Sequence, residues 1–197
     1  MTRTATTAAP ITSVLAERWS PRAFDERHEL SEETLVGLLE AARWSPSANN
    51  SQPWRFIVGI RGQDAFHVIA EHLGGFNRSW AASASALIVN IVDSELGEGH
   101  QPVWHEYDLG QAVAHLTVQA SAVGLHTHQM GGVDRDGLAA ALGLAPRYRV
   151  LSVTAIGAIG DPEALPEPLR ARELAPRSRK ELSELILNRD ESAFPTD

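Results

Sequence analysis

The chain has 197 residues, enough for one domain with a substantial hydrophobic core. Its 17 lysine and arginine residues against 25 aspartate and glutamate residues give a net charge of −8, which argues against a general binder of nucleic acids or anionic membranes. The absence of cysteine excludes disulfides, thiolate metal sites and a cysteine nucleophile, and it fits a reducing compartment.

The N-terminal part is predicted to be a loose tail followed by two helices. Because it lacks a signal-like apolar start, and the chain lacks an apolar run of membrane-spanning length, we expect a cytoplasmic protein. Residues 1–9 are rich in threonine and alanine, which favours a flexible tail ahead of a single domain over residues 10–197. A short helix is predicted from Pro10 to just before Pro21. Ser31 is predicted to cap a second helix, since two glutamates and leucines at helical spacing follow it.

The most informative stretch is W-S-P-S-A-N-N-S-Q-P-W over Trp44–Trp54. Pro46 and Pro53 stiffen this loop, and its hydroxyl and amide side chains are uncharged hydrogen-bond donors and acceptors. Such a loop suits a flat heteroaromatic ligand with carbonyl groups and ring nitrogens. An ordinary Asn/Ser/Pro turn has the same composition, so the loop alone leaves both interpretations open.

The rest of the chain is predicted to alternate short helices and apolar strands. The predicted strands are Arg55–Ile60, Ala86–Val92, Arg149–Ile156, and His126–Val133, which enters a Gly-Gly turn. The predicted helices are Gln63–Leu73, Trp104–Gly124 and a short helix that Asp134 caps. Gly74–Trp80 is predicted to be a turn, Ser94–Val103 a mobile flap, and Leu169–Asp197 a charged extension that is either disordered or docked on a partner.

Two pairs of arginines are candidate anion-binding residues. Arg18 and Arg22 flank the helix end R-W-S-P-R, and arginine is the planar, permanently charged donor that recognises phosphate or an anionic ring. Arg177 and Arg179 point the same way if their segment is extended. Taken alone, either pair is equally consistent with solvated surface charge.

Other motifs exclude several kinds of site. His126 and His128 lie on one side of a predicted strand, an acceptable spacing for two metal ligands, but no third ligand is close in sequence and we predict no metal site. The chain has no nucleophile-elbow motif and no phosphate-binding glycine motif. Gly131 and Gly132 allow the backbone to approach a ligand closely, or simply form a turn.

Together these motifs resemble the FMN-dependent nitroreductases. The resemblance rests on Arg18–Asp25 (R-W-S-P-R-A-F-D), Ser45–Trp54 (S-P-S-A-N-N-S-Q-P-W), Phe76–Asn77, Met130–Gly132 and Arg177–Arg179, whose order and spacing match nearly end to end. It implies an α+β, nitroreductase-like fold with a mostly antiparallel central sheet wrapped by helices. It also implies an obligate homodimer with FMN at the subunit interface, and a C-terminal arm, about residues 169–197, that extends onto the partner subunit.

The resemblance further implies which residues hold the cofactor. Arg18, Trp19 and Ser20 are expected near the phosphate and ribityl chain, Arg22 by the ring edge that carries N1 and O2, and Arg177 and Arg179 around the phosphate. Pro46, Ser47, Ala48 and Asn50, with Gln52 alongside, are expected to come from the other subunit. Asn77 is expected on the pyrimidine side, and Gln129, Met130, Gly131 and Gly132 on the N5 side. The chain departs from some relatives at Trp80, where they carry lysine, and at Gly131, where others carry glutamate.

The implied activity is a ping-pong reaction in which NADH or NADPH gives a hydride to flavin N5 and a nitroaromatic, quinone or related acceptor takes the electrons. The cofactor supplies this chemistry, so no protein acid, base or nucleophile is required. Trp104, His105 and Tyr107 are candidates for the acceptor pocket. Two alternatives stay open: an enzyme that fragments flavin or dehalogenates an aromatic compound, and a flavin-binding or regulatory protein without turnover.

Overall fold

The computed structural model describes residues 3–95 and 102–187, which form an α+β structure. The helices are α1 (Ser13–Glu17), α2 (Glu32–Arg43), α3 (Asp64–Glu71), α4 (Gly75–Ala81), α5 (Pro102–Ala122), α6 (Arg135–Ala141), α7 (Glu167–Leu174) and α8 (Leu182–Leu185). The strands are β1 (Trp54–Ile60), β2 (Ala86–Asp93), β3 (His126–Met130) and β4 (Tyr148–Gly157). Within these described ranges, no helix combines the length and the apolar character needed to cross a membrane.

The four strands form one antiparallel sheet in the order β1-β2-β4-β3. Every residue of the central strand β2 is buried, as expected for a strand covered on both faces. The order places β1 and β3 at opposite edges of the sheet. The predicted antiparallel sheet wrapped by helices is therefore confirmed.

Helices cover both faces of the sheet, and alternate residues of β2 point into two cores. Leu87 packs with Ile69 of α3 on one face. Ile88 packs with Leu38 of α2 and Leu116 of α5 on the other. Each of these side chains is at most 1% exposed, and burial of each contributes about 1.5–3 kcal/mol to stability.

The two predicted N-cap residues, Ser31 and Asp134, are confirmed. Ser31 Oγ accepts a hydrogen bond from the N–H of Thr34 at 3.1 Å, at the start of α2. Asp134 Oδ1 accepts one from the N–H of Gly137 at 3.1 Å, at the start of α6. Both contacts satisfy N–H groups that the first turn of a helix leaves without partners.

The prediction of a turn at Gly74–Trp80 is wrong, because Gly75–Ala81 forms α4. Gly74 is the N-cap residue and Gly75 the first residue of the helix, so the Gly-Gly pair begins α4 rather than interrupting it. Trp80 stabilises α4 by packing into the core. This side chain is 2% exposed and stacks on Phe24 with a centroid distance of 6.2 Å. The predicted flap at Ser94–Val103 falls mainly on residues 96–101, which lie outside the described residues.

The loose N-terminal tail over residues 1–9 stays a prediction, and two of its described residues make hydrogen bonds to the folded body. The N–H of Ala5 donates to the carbonyl of Ala16 at 2.8 Å, and the guanidinium of Arg3 donates to two carbonyls at the end of α7. The extension predicted from Leu169 also begins inside the folded body, since Leu169 of α7 is buried in the core. Extension of later residues onto a partner subunit stays a prediction.

Candidate functional site

Six arginines surround one cavity of about 330 Å³ where the two ends of the chain meet. They are Arg3, Arg18, Arg22, Arg172, Arg177 and Arg179, and we call this cavity the arginine pocket. Trp19 and Ser20 also line it, so the structure brings together all the residues predicted to lie near a phosphate. Glu173 is the one carboxylate residue among the lining residues. In a chain of net charge −8, this local excess of cations indicates a site for an anion.

The surroundings of Arg18 disfavour its positive charge, and a bound anion would stabilise that charge. Burial, and then the guanidinium groups of Arg177 and Arg179, lower the pKa of Arg18 from its ordinary value. Burial disfavours the charged guanidinium most, and the two neighbouring cations add repulsion, although arginine remains protonated in proteins. Among the described residues, the Arg18 side chain donates one hydrogen bond, from Nη1 to Ser20 Oγ at 3.4 Å. Its other donors therefore remain for a ligand.

The two arginines of R-S-R have different roles in the pocket. Arg177 donates from Nη1 to the carbonyls of Arg3 and Ala16, the latter at 2.8 Å, and from Nη2 to the carbonyl of Arg18 at 2.8 Å. These bonds use three of its five N–H groups and fix the pocket wall. Arg179 donates to the carbonyl of the preceding serine at 2.7 Å. Arg179 is thus the R-S-R arginine with more donors left for an anion.

Glu173 holds the segment Arg18–Arg22 in place. Its carboxylate is 1% exposed, and both oxygens accept from the N–H of Arg22 at 3.0 Å. The N–H of Ala23 donates to Oε1 at 3.4 Å, and Nη1 of Arg22 lies 3.8 Å from Oε2. The carboxylate therefore compensates part of the Arg22 charge and fixes where its side chain starts.

The same segment lies along β3. His128 Nδ1 lies 2.9 Å from the carbonyl of Pro21, and because a carbonyl only accepts, Nδ1 carries the proton. Trp19 meets the ring of His126 edge-on, with a centroid distance of 6.2 Å. Burial is the main cause that lowers the pKa of both histidines, which favours their neutral forms. In the described part of the chain, no three histidine, aspartate or glutamate side chains are grouped to hold a metal.

The turn after β3 meets α4 close to the arginine pocket. Asn77 Nδ2 donates to the carbonyl of Gly132 at 3.2 Å. At Gly131, nothing lies within 4 Å of where a Cβ would be, so the space above its backbone is open. The guanidinium of Arg172 lies 4.7 Å from the centroid of Phe76, the residue before Asn77. Because Arg172 also lines the arginine pocket, Phe76 and Arg172 connect that pocket to the Asn77–Gly132 contact.

Gln129 and Met130, two residues at the end of β3 that are predicted to bind the cofactor, offer different groups to a ligand. Met130 is 2% exposed, so its backbone rather than its side chain is available to a ligand. Gln129 is exposed, and its Nε2 donates to Thr117 Oγ1 on α5 at 3.3 Å. The amide oxygen of Gln129 therefore remains for other contacts.

The polar loop Trp44–Trp54 has an unusual backbone. Asn49, Asn50 and Gln52 have φ angles of 52°, 54° and 49°, left-handed values that residues other than glycine adopt uncommonly. Each such residue costs of order 1–3 kcal/mol, and such residues cluster at functional sites. The loop thus needs contacts that hold it in this shape.

Asp108 of α5 supplies the long-range anchor of this loop. Its Oδ2 accepts from the N–H of Ala48 at 3.0 Å, its Oδ1 accepts from Gln111 Nε2 at 3.2 Å, and the residue is 2% exposed. Within the loop, Ser47 Oγ accepts from the N–H of Gln52 at 3.0 Å. The loop is therefore rigid before any ligand arrives, with Pro46 and Asn50 on its exposed side.

The loop and the arginine pocket lie apart within one protomer. The loop enters β1, whereas the Gly131–Gly132 turn leaves β3 at the other edge of the sheet. Three strand spacings separate these edges, about 14 Å. The structure therefore does not bring Pro46, Ser47, Ala48, Asn50 and Gln52 together with the other predicted cofactor residues.

The three residues predicted for the acceptor pocket do not share one surface. Trp104 and Tyr107 are 48% and 62% exposed, and their rings meet edge-on with a centroid distance of 6.1 Å. His105 is 2% exposed, and neither of its ring nitrogens has a hydrogen-bond partner among the described residues. Helical periodicity separates them, because position 105 faces the core while 104 and 107 face outward.

Comparisons with known proteins show to which family the chain belongs. The family model described as Nitroreductase family matches residues 15–85. A protein of Archaeoglobus fulgidus with the provisional name NADH dehydrogenase/NAD(P)H nitroreductase is 30% identical over 144 residues, which cover 71% of this chain and 80% of that protein. The chain belongs to the nitroreductase family.

Solved structures of this nitroreductase-like fold extend over almost the whole chain. A structure described as an oxidoreductase containing FMN is 34% identical with a TM-score of 0.87, covering 93% of this chain and 94% of the other. A Desulfovibrio desulfuricans nitroreductase-type protein in complex with FMN is 26% identical with a TM-score of 0.75, covering 96% and 100%. An oxygen-insensitive NADPH nitroreductase of Helicobacter acinonychis is 42% identical over 39% of this chain, and the match spans 35% of that protein.

The structure explains one departure from other nitroreductase family members. Trp80 is a core residue: it packs against Phe24, and its ring lies 4.5 Å from that of His128. It is too buried to take over the role of an exposed lysine at this position. Open space at Gly131 likewise leaves the backbone, rather than a side chain, as the group presented there.

Sequence reasoning missed four residues that shape the site. Arg3 lay in a stretch that resembled a tail, and Arg172 and Glu173 in one that resembled a charged extension. Asp108 lay in a helix that was predicted correctly, but nothing local showed that it contacts the loop. The repeated charges in A-R-E-L-A-P-R-S-R-K were the one available signal, since they share a sequence neighbourhood with the R-S-R motif.

Proposed function

We propose that this nitroreductase family member is an FMN-dependent oxidoreductase that oxidises NADH or NADPH and reduces nitroaromatic, quinone or related acceptors. The observation that carries the proposal is the arginine pocket, connected through Phe76 and Arg172 to the Asn77–Gly132 contact. The relatives named as FMN-containing structures and NAD(P)H nitroreductases support the choice of cofactor and hydride donor.

The arginine pocket fits a phosphate monoester. Such a group carries up to two negative charges and three acceptor oxygens, which match the available donors of Arg18 and Arg179 and the hydroxyl of Ser20. A bound phosphate would also offset the repulsion from Arg177 and Arg179, which adds to the effect of burial in lowering the pKa of Arg18. Arg177 fixes the wall behind the phosphate, since its bonds go to backbone carbonyls.

The residues beyond the phosphate fit a flavin ring. Arg22, only partly neutralised by Glu173, supplies positive charge for a ring edge that gains negative charge on reduction. Asn77 donates to Gly132, which leaves its amide oxygen to accept from a ring N–H. The open backbone at Gly131 can lie against the ring without a side chain between them.

When bound, FMN would supply the two-electron chemistry, accepting a hydride at N5 and passing electrons on. The protein would position the cofactor, the nicotinamide donor and the acceptor. We propose that donor and acceptor use the same open face of the cofactor in turn, so the oxidised nicotinamide would leave before the acceptor enters. Arg22 would supply positive charge to stabilise the reduced cofactor. No side chain is assigned a proton transfer.

We further propose a homodimer in which the polar loop of one protomer completes the site of the other. No residue of the loop, which the structure describes in full, lines the arginine pocket of its own protomer, and the preset shape of the loop suits a ligand presented from outside. Residues beyond the R-S-R segment would then extend onto the partner. Trp104 and Tyr107 remain candidates to contact the acceptor.

The purified protein, saturated with FMN, is expected to lose its flavin absorption near-completely when NADH or NADPH is added without oxygen. Steady-state rates with a nitroaromatic and with a quinone should give parallel double-reciprocal plots, because donor and acceptor occupy the site in turn. The better of the two donors is read from the rate of flavin reduction.

A protein that binds no FMN would overturn the proposal entirely. Bound flavin that neither donor reduces would replace the proposed enzyme with a flavin-binding protein without turnover. Intersecting plots, together with a ternary complex in rapid-mixing experiments, would refute the ping-pong order while leaving the oxidoreductase assignment intact.

A further inference from the structure

The two ends of the described chain are tied together by a reciprocal pair of arginines. Arg3 donates from its two terminal nitrogens to the carbonyls of Glu173 and Ala175 at the end of α7. Arg177 donates to the carbonyls of Ala16 and Arg18 at the end of α1, and to the carbonyl of Arg3 itself. We call this pair the arginine clasp.

Each arginine of the clasp donates to backbone carbonyls at the C-terminal end of a helix on the other segment: Arg3 at the end of α7, and Arg177 at the end of α1. The last carbonyls of a helix have no partner within it, and they carry the negative end of the helix dipole. A guanidinium placed there donates hydrogen bonds and supplies the favoured charge. The cation of Arg3 also lies 4.5 Å from the ring centroid of Trp19, one of the pocket residues.

The clasp determines where the free donors of the pocket lie. Arg18 follows the last residue of α1, whose end Arg177 caps, and Arg179 lies two residues after Arg177. Among the described residues, the hydrogen bonds that join residues 175–179 to residues 3–18 all come from the clasp. Without these bonds, the repulsion among Arg18, Arg177 and Arg179 would separate the two segments.

We propose that Arg3 is a positioning residue of the arginine pocket, which makes the N-terminal segment part of the phosphate site. It acts through the clasp and need not touch the phosphate. Arg3 lies outside residues 15–85, the part that the family model matches, so the motif resemblance does not assign it a role. The inference rests on the proposed function, because FMN is the phosphate ligand considered.

The test compares FMN with riboflavin, which has the same ring and no phosphate. Dissociation constants would be measured by flavin fluorescence for the wild type, Arg3→Ala, Arg3→Lys and Arg27→Ala. Arg27→Ala is the matched control, because it also removes one arginine charge. Arg27 pairs with Asp25 at the surface and does not line the arginine pocket. Hydrogen exchange of the flavin-free proteins would follow the amides of residues 16–18 and 175–179.

Arg3→Ala is expected to weaken FMN binding about tenfold, to leave riboflavin binding unchanged, and to speed exchange in both segments, in line with the loss of charge-assisted bonds. Arg3→Lys should remain close to Arg3→Ala, because an ammonium lacks the planar fork that bonds two carbonyls. Arg27→Ala should match the wild type in all three measurements.

Several results would overturn the inference. Unchanged FMN binding in Arg3→Ala, an equal loss of FMN and riboflavin, or full recovery in Arg3→Lys would each show that the clasp does not position the pocket. A wild type that binds no flavin would refute the proposed function, and the inference with it. If the wild type binds FMN and Arg3→Ala binds it equally well, the inference is refuted and the proposed function is not.

Discussion

Replacing Glu173 by alanine is expected to lower the free energy of unfolding by about 3–5 kcal/mol, the usual effect of breaking a buried ion pair from one side. The carboxylate is 1% exposed and accepts from the N–H groups of Arg22 and Ala23. Without it, both N–H groups and the Arg22 cation lose their partner. For a chain of this size the change corresponds to a lower melting temperature by roughly 6–20 °C.

The experiment is urea unfolding without FMN, followed by circular dichroism at one fixed protein concentration, because an oligomer makes the midpoint concentration-dependent. Glu173→Gln should fall between alanine and the wild type, since its single carbonyl oxygen still accepts one hydrogen bond. Glu163→Gln is the matched control, as Glu163 pairs with Arg170 at the surface and is 64% exposed. If Glu173→Ala unfolds at the same urea concentration as this control, the carboxylate is not a structural anchor.

Replacing Asp108 by alanine is expected to weaken binding of FMN and riboflavin alike, by at least about tenfold, or 1.4 kcal/mol. The change leaves the N–H of Ala48 without its acceptor and frees three residues from left-handed backbone angles that cost of order 1–3 kcal/mol each. The loop should therefore relax away from the shape that fits a flavin ring. Because the loop is proposed to contact the ring rather than the phosphate, both flavins should be affected equally.

Asp108→Asn is the informative companion, since its amide oxygen can still accept from Ala48 and should preserve most of the affinity. Glu106→Ala serves as control on the same helix: Glu106 pairs with Arg149 across an exposed 2.7 Å contact and should not affect either flavin. A loss of FMN affinity alone in Asp108→Ala would indicate that the loop acts on the phosphate. Unchanged binding of both flavins would remove the loop from the site.

The sequence predicts best those elements whose causes are local. Ser31 caps α2 through a residue three positions away, and β2 is an apolar run because both of its faces are covered. The prediction of a turn at Gly74–Trp80 is wrong because its cause is not local. Glycine favours turns locally, but burial of Trp80 decides that the segment is helical.

The candidate site shows where local reasoning ends. Motif resemblance leads to Arg18, Arg22 and Asn77, because these residues stand within the short motifs on which the resemblance rests. It does not lead to Glu173 or Asp108, which act on backbone N–H groups 151 and 60 residues away. A carboxylate that bonds distant backbone leaves no periodic pattern in its own segment, so only the folded structure shows its partner.

The order of strands in the sheet has a genetic consequence. If the polar loop and the arginine pocket of one site come from different protomers, a variant damaged in the loop and a variant damaged in the pocket each have two broken sites. A mixed dimer of the two variants has one site with both defects and one site with neither. The test is to unfold and refold an equal mixture of a loop variant and a pocket variant, such as Asp108→Ala and Arg18→Ala, and to assay it at an FMN concentration too low to fill the sites of either variant alone. Roughly a quarter of wild-type activity should be restored, because random pairing makes half of the dimers mixed and each mixed dimer has one intact site. Two alleles that each abolish activity alone would complement each other in one cell.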